Sequence, residues 1–213
     1  YLPEALANYM SFLGWSIKTP KSEILSLSEI SKLFNLSDVN KAGAKFSWEK
    51  LNWINSQYIK KMELTKLSNF IKKYWNDMGW ESPSKEWDYK LTDLIRDSMV
   101  LLKDAIEQSK PFFSLSKMQN EGKEFLENKI EAKESLKYVL LYLKEGNISK
   151  VTDDKAQEII SKISTKHSIK KGILMRTLRV AFFGCLSGPD LIQSWELFSE
   201  NKTDITLIER CLI

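Results

Sequence analysis

Ser47-Trp48-Glu49-Lys50-Leu51-Asn52-Trp53-Ile54-Asn55-Ser56-Gln57-Tyr58-Ile59-Lys60-Lys61-Met62 carries a helical period through about four turns. Trp48, Leu51, Tyr58, Ile59 and Met62 make an apolar stripe at helical spacing, with Ile54 at its edge, and nothing in the stretch alternates as a half-buried strand would. At about 100° per residue, Trp53, Gln57 and Lys60 fall opposite that stripe, with Lys50 and Lys61 towards its flank. Lysines neutralise phosphates, and an indole packs on a ribose or stacks on a base. The same face also fits a plainer reading, in which Trp53 packs on a neighbouring element and the lysines are solvated.

Outward from this helix the same period persists in both directions. Towards the N-terminus, Leu6, Tyr9, Met10 and Leu13 line one face behind Pro3, and Ser26-Leu27-Ser28-Glu29 reads as a capping box opening a helix with Ile30, Leu33 and Phe34. Towards the C-terminus come Leu67, Phe70, Ile71, Tyr74 and Met78 behind Thr65 as N-cap, then Trp87, Leu91, Leu94 and Ile95 beyond Pro83. Leu136, Val139, Leu140 and Leu143 are stopped by Gly146 at the C-cap, and Ala156, Ile159, Ile160 and Ile163 follow Thr152. Trp195 and Phe198 read as core. No alternating run and no fixed repeat intervenes, so the expected fold class is all-α. Breaks fall at Glu81–Ser84, at Ser109–Gln119 where the period lapses around Pro111, and after Gly146-Asn147.

Composition narrows the classes. Apolar residues make up 43% of the 213, enough for a packed core in one to three small domains, which excludes a disordered chain. No apolar run approaches the roughly 20 residues of a membrane span, and no secretory signal is visible, so no membrane partner is expected. Two cysteines (Cys185 and Cys211) and one histidine (His167) supply neither a disulfide framework, nor a metal-ligand cluster, nor a nucleophile constellation, which fits a reducing cytoplasm. No catalytic residue and no metal site is expected. His167 reads as a helix-end surface residue. The net charge of +4 does not choose a partner by itself, because distribution matters more.

The distribution is uneven. Between Ser161 and Pro189 lie Lys162, Lys166, Lys170, Lys171, Arg176 and Arg179, with no acid among them. On a helix from about Ile169 to Phe183, Leu174, Leu178 and Ala181 face inward, while Gly172, Arg176, Arg179 and Phe183 face away. Two guanidiniums beside an aromatic ring, near a glycine that permits close approach, suit an unpaired RNA segment. The alternative is a solubilising face with one arginine bridging to another helix. In Gly184-Cys185-Leu186-Ser187-Gly188-Pro189-Asp190-Leu191 one helix ends at Gly184 and another starts at Pro189, whose free amides are expected to meet a phosphate or a base edge.

Three segments together resemble the glutamyl-tRNA synthetase family of the bacterial type. Tyr1-Leu2-Pro3-Glu4-Ala5-Leu6-Ala7-Asn8-Tyr9, continuing to Leu13-Gly14-Trp15-Ser16, resembles a stretch that precedes the second catalytic signature. Phe46 and Lys50-Leu51-Asn52-Trp53-Ile54-Asn55 to Tyr58-Ile59 are similar to the family's stem-contact region. Arg176-Thr177-Leu178-Arg179-Val180-Ala181, Gly184 and Gly188-Pro189-Asp190-Leu191 are similar to its last anticodon-binding domain, although Thr177 stands where the family often has proline. The lysine-containing stretch Val39–Lys45 does not match the lysine-loop signature, and with no initiating Met the chain reads as a C-terminal part whose catalytic domain lies elsewhere.

The resemblance implies a stem-contact region over 1–63, a first helical anticodon-binding domain over 64–120 and a second over 121–213. It implies tRNA stem contacts from Lys50, Trp53, Lys60 and Lys61, and anticodon contacts from Arg96, Ser98, Lys171, Arg176, Arg179, Pro189 and Leu191. An arginine near 96–98 favours glutamate over glutamine anticodons in some members. Ser98 at that position implies a parent enzyme that also charges the glutamine tRNA, and Arg96 there implies the reverse. The parent is expected to be a monomeric cytoplasmic ligase that uses ATP and magnesium to attach glutamate to tRNA. This part is expected to be inactive alone and to need no cofactor. The rival readings are a helical protein-interaction module with incidental basic faces and a standalone tRNA-binding factor.

Overall fold

The computed structural model describes residues 1–15, 23–40 and 43–213. Ser16 of the first resembling segment, and Lys41 and Ala42 within Val39–Lys45, lie outside the described residues. Among the described residues the chain forms twelve α-helices, one 3₁₀ turn at Leu36–Asp38 and an isolated bridge between Trp15 and Val39, with no sheet. The all-α expectation holds. Packing divides the chain into two compact units, residues 1–74 with 95–108 and residues 75–94 with 109–213.

The first unit contains α1 (Pro3–Ser11), α2 (Leu27–Leu33), α3 (Trp48–Lys61) and α4 (Leu64–Asp77) as far as Tyr74. Helix α1 packs on α3. Its buried face is Ala5, Asn8 and Tyr9, not the expected stripe, since Leu6 and Met10 are 39% and 56% exposed. The small Ala5 lets the helices approach, and polar groups fill the seam, most of them hydrogen-bonded across it. The fully buried Asn55 amide accepts the Leu2 N–H at 2.8 Å and donates to the Val100 carbonyl. The Tyr9 hydroxyl accepts the Ser47 N–H at 2.7 Å, and the Tyr58 hydroxyl donates to the Leu25 carbonyl at 2.7 Å. Burial, followed by the nearby carboxylates of Glu4 and Glu29, pushes the Tyr58 hydroxyl above the ordinary tyrosine range.

Two local signals behaved differently. The capping box at Ser26 and Glu29 is formed in both directions, and its hydrogen bonds hold the Glu29 carboxyl below its usual range. Of the residues on that helix and its end, only Ile30 is buried; Leu33 and Phe34 are each 50% exposed. At α4 the expected cap Thr65 lies inside the helix. The Glu63 carboxylate accepts the Thr65 and Lys66 N–H groups at 3.0 Å, a task a longer side chain performs from two residues earlier. Those bonds and the Thr65 hydroxyl hold Glu63 below the usual carboxylate range.

The second unit takes in α5 (Lys85–Arg96) up to Leu94 and α6 (Asp104–Phe113) from Ser109. It continues through α7 (Asn120–Asn128), α8 (Ile130–Glu145), α9 (Asp153–Lys166), α10 (Lys171–Phe183), α11 (Leu191–Glu200) and α12 (Asp204–Glu209). The expected linker Ser109–Gln119 is coil only in its second half, because α6 runs through Pro111 to Phe113. An internal proline costs roughly 3 kcal/mol of helix stability. Aromatic anchoring of the two residues that follow it offsets that cost. Phe113 sits 5.2 Å from both Trp75 and Trp87 and stacks on Trp80, while Phe112 stacks on Phe198 at 4.7 Å. The buried indoles are satisfied as well, Trp75 donating to the Ser109 hydroxyl and Trp87 to the Leu197 carbonyl.

Gly146 caps α8 as expected, and Asn147 after it takes the positive φ of 46°. Trp195 and Phe198 are core, and both cysteines are buried free thiols. Half-buried charges in this unit are held too. The Arg210 guanidinium donates to the Ser116 and Ala181 carbonyls, and Lys90 lies 2.8 Å from both Glu196 and Glu200. Burial opposes the Lys90 charge, but the two carboxylates outweigh it and raise its pKa.

Candidate nucleic-acid interface

In the first unit the interface candidate is the outer face of α3. Ser47 caps the helix by accepting the Lys50 N–H, and Leu51, Ile54, Asn55 and Ile59 bury the inner face. Lys50, Trp53, Gln57, Lys60 and Lys61 then fall within an arc of about 100° on the other side. Trp53 is 46% exposed, and Lys60 and Lys61 are exposed in the last turn, where cations suit the helix dipole. Lys50 is paired with Glu23 at 3.1 Å. Trp48, expected in the buried stripe, is 64% exposed. As the first helical residue it projects past the end of the packed face, against Phe46 and Tyr1. It adds an exposed aromatic ring that the stripe pattern had assigned to the core.

Arg96 and Ser98 also belong to the first unit. Arg96 ends α5, is half-buried, and its charge contributes to the low pKa of Glu63. Ser98 is exposed, and its hydroxyl donates to the Ile95 carbonyl at 2.7 Å, which still leaves that oxygen able to accept.

In the second unit the site is α10 with the turn that follows it. Leu174, Leu178 and Ala181 are fully buried, as their spacing predicts, and Lys171, Gly172 and Arg176 are exposed. Phe183, expected on the outer face, is instead 5% exposed, packed against Phe112 and Phe198. Arg179 is half-buried, and its guanidinium donates to the Gly188 carbonyl at 2.9 Å. One arginine is therefore free to the solvent side while the next pins the turn. Helix α10 starts at Lys170-Lys171 with no side-chain cap and no acid in its first turn. Cations at that end add to the positive end of the dipole, a field that favours an incoming anion.

The turn differs from its expected form. Gly184 ends α10 with φ at 75°. The next helix begins at Leu191, one residue after its N-cap Asp190, rather than at Pro189. Asp190 Oδ1 accepts the Ile192 and Gln193 N–H groups at 3.0 Å, so the amides expected to meet a phosphate are already occupied. Leu191 is 1% exposed and offers a ligand its backbone at most, whereas Pro189 is half-buried and Ser187 and Gly188 are exposed. Sequence reading missed a further participant. Glu121 of α7, 65 residues away, accepts the Leu186 N–H at 3.1 Å, and no local pattern signals that contact.

His167 caps the C-terminal end of α9, as expected, with its ring stacked on Tyr138. Both rings line a cavity of about 620 Å³ with Leu141, Tyr142, Lys162 and Lys166. Glu158 binds Lys162 and Lys155, which holds its carboxyl at about 2. Among the described residues, no group of three His, Cys, Asp or Glu side chains is placed to hold a metal ion.

Comparisons with known proteins place the chain in a family. A family model described as an anticodon binding domain matches residues 49–204. The chain is 81% identical to a glutamate–tRNA ligase of Prochlorococcus marinus subsp. pastoris over 211 residues, covering 99% of this chain and 44% of that relative. A glutamate–tRNA ligase of another Prochlorococcus marinus strain is 79% identical over 213 residues, 45% of its length. The chain thus spans less than half the length of the curated relatives it matches. A crystal structure of a glutamate–tRNA ligase from Elizabethkingia meningosepticum superposes with a TM-score of 0.89 at 28% identity, covering all of this chain and 41% of that one. With a matching model over most of its length, the chain belongs to the anticodon-binding domain family.

Proposed function

We propose that this chain is the tRNA-holding and anticodon-reading portion of a glutamate–tRNA ligase. The observation that carries the reading is the basic surface of α10 and its turn, whose own stretch 161–189 holds no acid, with Lys171 and Arg176 exposed and Arg179 bound to Gly188. A guanidinium fixed beside a turn can place its remaining N–H donors towards an unpaired base, and an exposed one can take a phosphate or stack. On this reading residues 1–63 contact the tRNA stem through Lys50, Trp53, Lys60 and Lys61. Residues 64–120 and 121–213 then read the anticodon, with Arg96 and Ser98 in the first stretch and Lys171, Arg176, Arg179, Pro189 and Leu191 in the second. The exposed Trp53 beside lysines supports the first assignment, and the buried side chain of Leu191 limits that residue to backbone contact.

The whole ligase would activate glutamate with ATP and magnesium and act in the cytoplasm as a monomer. The residues described here would take part in tRNA binding and not in the chemical steps. No helix among the described residues is long and apolar enough to cross a membrane. With an exposed serine at 98, the ligase would accept the glutamine tRNA beside the glutamate tRNA. Aminoacylation of both tRNAs by the full enzyme checks this, and strict rejection of the glutamine tRNA would sink it.

The test of the main reading is titration of glutamate tRNA into this chain at two salt concentrations, with an Arg176→Ala variant and an anticodon-altered tRNA alongside. Expected are an affinity that falls steeply with salt, a loss of about tenfold on Arg176→Ala, and a further dependence on the anticodon. Binding indifferent to the anticodon and to Arg176 would leave a non-specific basic surface, and tight binding to a protein instead would favour an interaction module.

A further inference from the structure

We infer that Glu121 is a positioning residue for anticodon specificity, acting by bracing the 184–188 turn from α7. The inference rests on the tRNA reading above. The turn is exposed at Ser187 and Gly188, yet it is gripped from two directions. Within its own hairpin of chain, Arg179 donates to the Gly188 carbonyl, and the Cys185 thiol donates to the Ser187 carbonyl at 3.3 Å. From far along the chain, the segment entering α7 closes on it. The Gln119 N–H donates to the Gly184 carbonyl at 2.8 Å, and the Glu121 carboxylate accepts the Leu186 N–H at 3.1 Å.

The fit at this seam is close enough to require small residues on both sides. A Cβ on Gly122 would lie 2.6 Å from the Gly184 carbonyl oxygen, and one on Gly184 would meet the Lys117 carbonyl. Gly184 therefore does two things, supplying a positive φ and permitting the approach. Backbone contact fixes where the turn begins, but it leaves the stretch from Leu186 to Gly188 attached only through side chains. Glu121 reaches it from α7, outside its own hairpin. A carboxylate accepting a backbone N–H is a strong, directional hold. It also puts a negative charge beside a basic surface, which would disfavour phosphates in the wrong register and narrow the poses an anticodon can take.

The two roles separate by substitution. Glu121→Gln keeps an oxygen acceptor and removes the charge, and Glu121→Ala removes both. Amide hydrogen exchange at Leu186–Gly188 in the tRNA-free 213-residue chain reports the brace directly, independently of any RNA. Expected is exchange about tenfold faster in Glu121→Ala and only a few-fold faster in Glu121→Gln, where a neutral acceptor replaces the charged one. Alongside, the ratio of affinities for glutamate tRNA and an anticodon-altered tRNA should shrink in Glu121→Ala and be only partly restored in Glu121→Gln, which keeps the acceptor without the charge. Unchanged exchange in Glu121→Ala overturns the brace. Faster exchange with an unchanged affinity ratio overturns the link to specificity. A parent chain that ignores the anticodon overturns the tRNA reading itself, while the exchange data still judge the brace.

Discussion

Helices α3 and α10 both expose a basic face, yet they secure it in opposite ways. On α3 the inner side is locked by the buried Asn55 amide, and the outer lysines Lys60 and Lys61 stand in solvent on long flexible stems. On α10 guanidinium groups join the exposed Lys171, and Arg179 is tied to a turn that is itself clamped by residues 119–122. Flexible ammonium groups supply attraction that tolerates position, whereas a fixed planar fork supplies direction. That difference corresponds to the split between phosphate contacts, which position a nucleic acid, and base contacts, which specify it. Each of the following changes breaks or sharpens that contrast.

The largest effect is expected at Gly184. Alanine there must adopt φ near 75° and drive its Cβ into the Lys117 carbonyl, a backbone atom that cannot swing aside. The two costs together should amount to about 2–4 kcal/mol, measured as a lower urea midpoint with an unchanged slope. If the variant remains as stable as the parent, the turn is not clamped and the contrast with α3 fails.

Next is the double change Lys60→Ala with Lys61→Ala. It should weaken tRNA binding several-fold and by the same factor for every anticodon, and it should flatten the dependence of log K on log salt by about 1 to 2. Arg176→Ala should instead weaken the cognate anticodon more than an altered one. Equal behaviour of the two variants across anticodons would erase the division of labour, and a protein stability change in either would point to packing.

How much of this was legible in sequence depends on the range of the interactions involved. The stripes of α3, α8, α9 and α10 and the capping box at Ser26 are built from residues a turn apart, so the local pattern carried them. The helix through Pro111 was not legible, because what offsets the proline is Phe112 on Phe198 and Phe113 among three tryptophans, all distant in sequence. Pro189 and Asp190 are both credible helix starts, and only the geometry shows the Asp190 carboxylate on two amides. Trp48 and Phe183 were misplaced at helix ends, where a face defined by the helix interior no longer predicts what a side chain meets. The basic surface was legible because six cations without an acid is a local fact. Its brace at Glu121 was not, because a lone glutamate in a polar stretch has no signature.

The smallest effect, and the sharpest on the RNA side, concerns Gly172. It lies in the first turn of α10, and a Cβ built there meets nothing within 4 Å. The protein therefore has no steric use for the missing side chain, and alanine should stabilise the helix by about 0.5–1 kcal/mol. A glycine that weakens its own helix beside Lys171 and Arg176 makes sense if a ligand's backbone passes close over it. The expected result for Gly172→Ala is thus a small rise in unfolding midpoint together with a few-fold loss of tRNA affinity. A rise in stability with affinity intact would mean that the RNA keeps its distance from the start of α10, and the directed contacts would then be confined to Arg176, Arg179 and the turn.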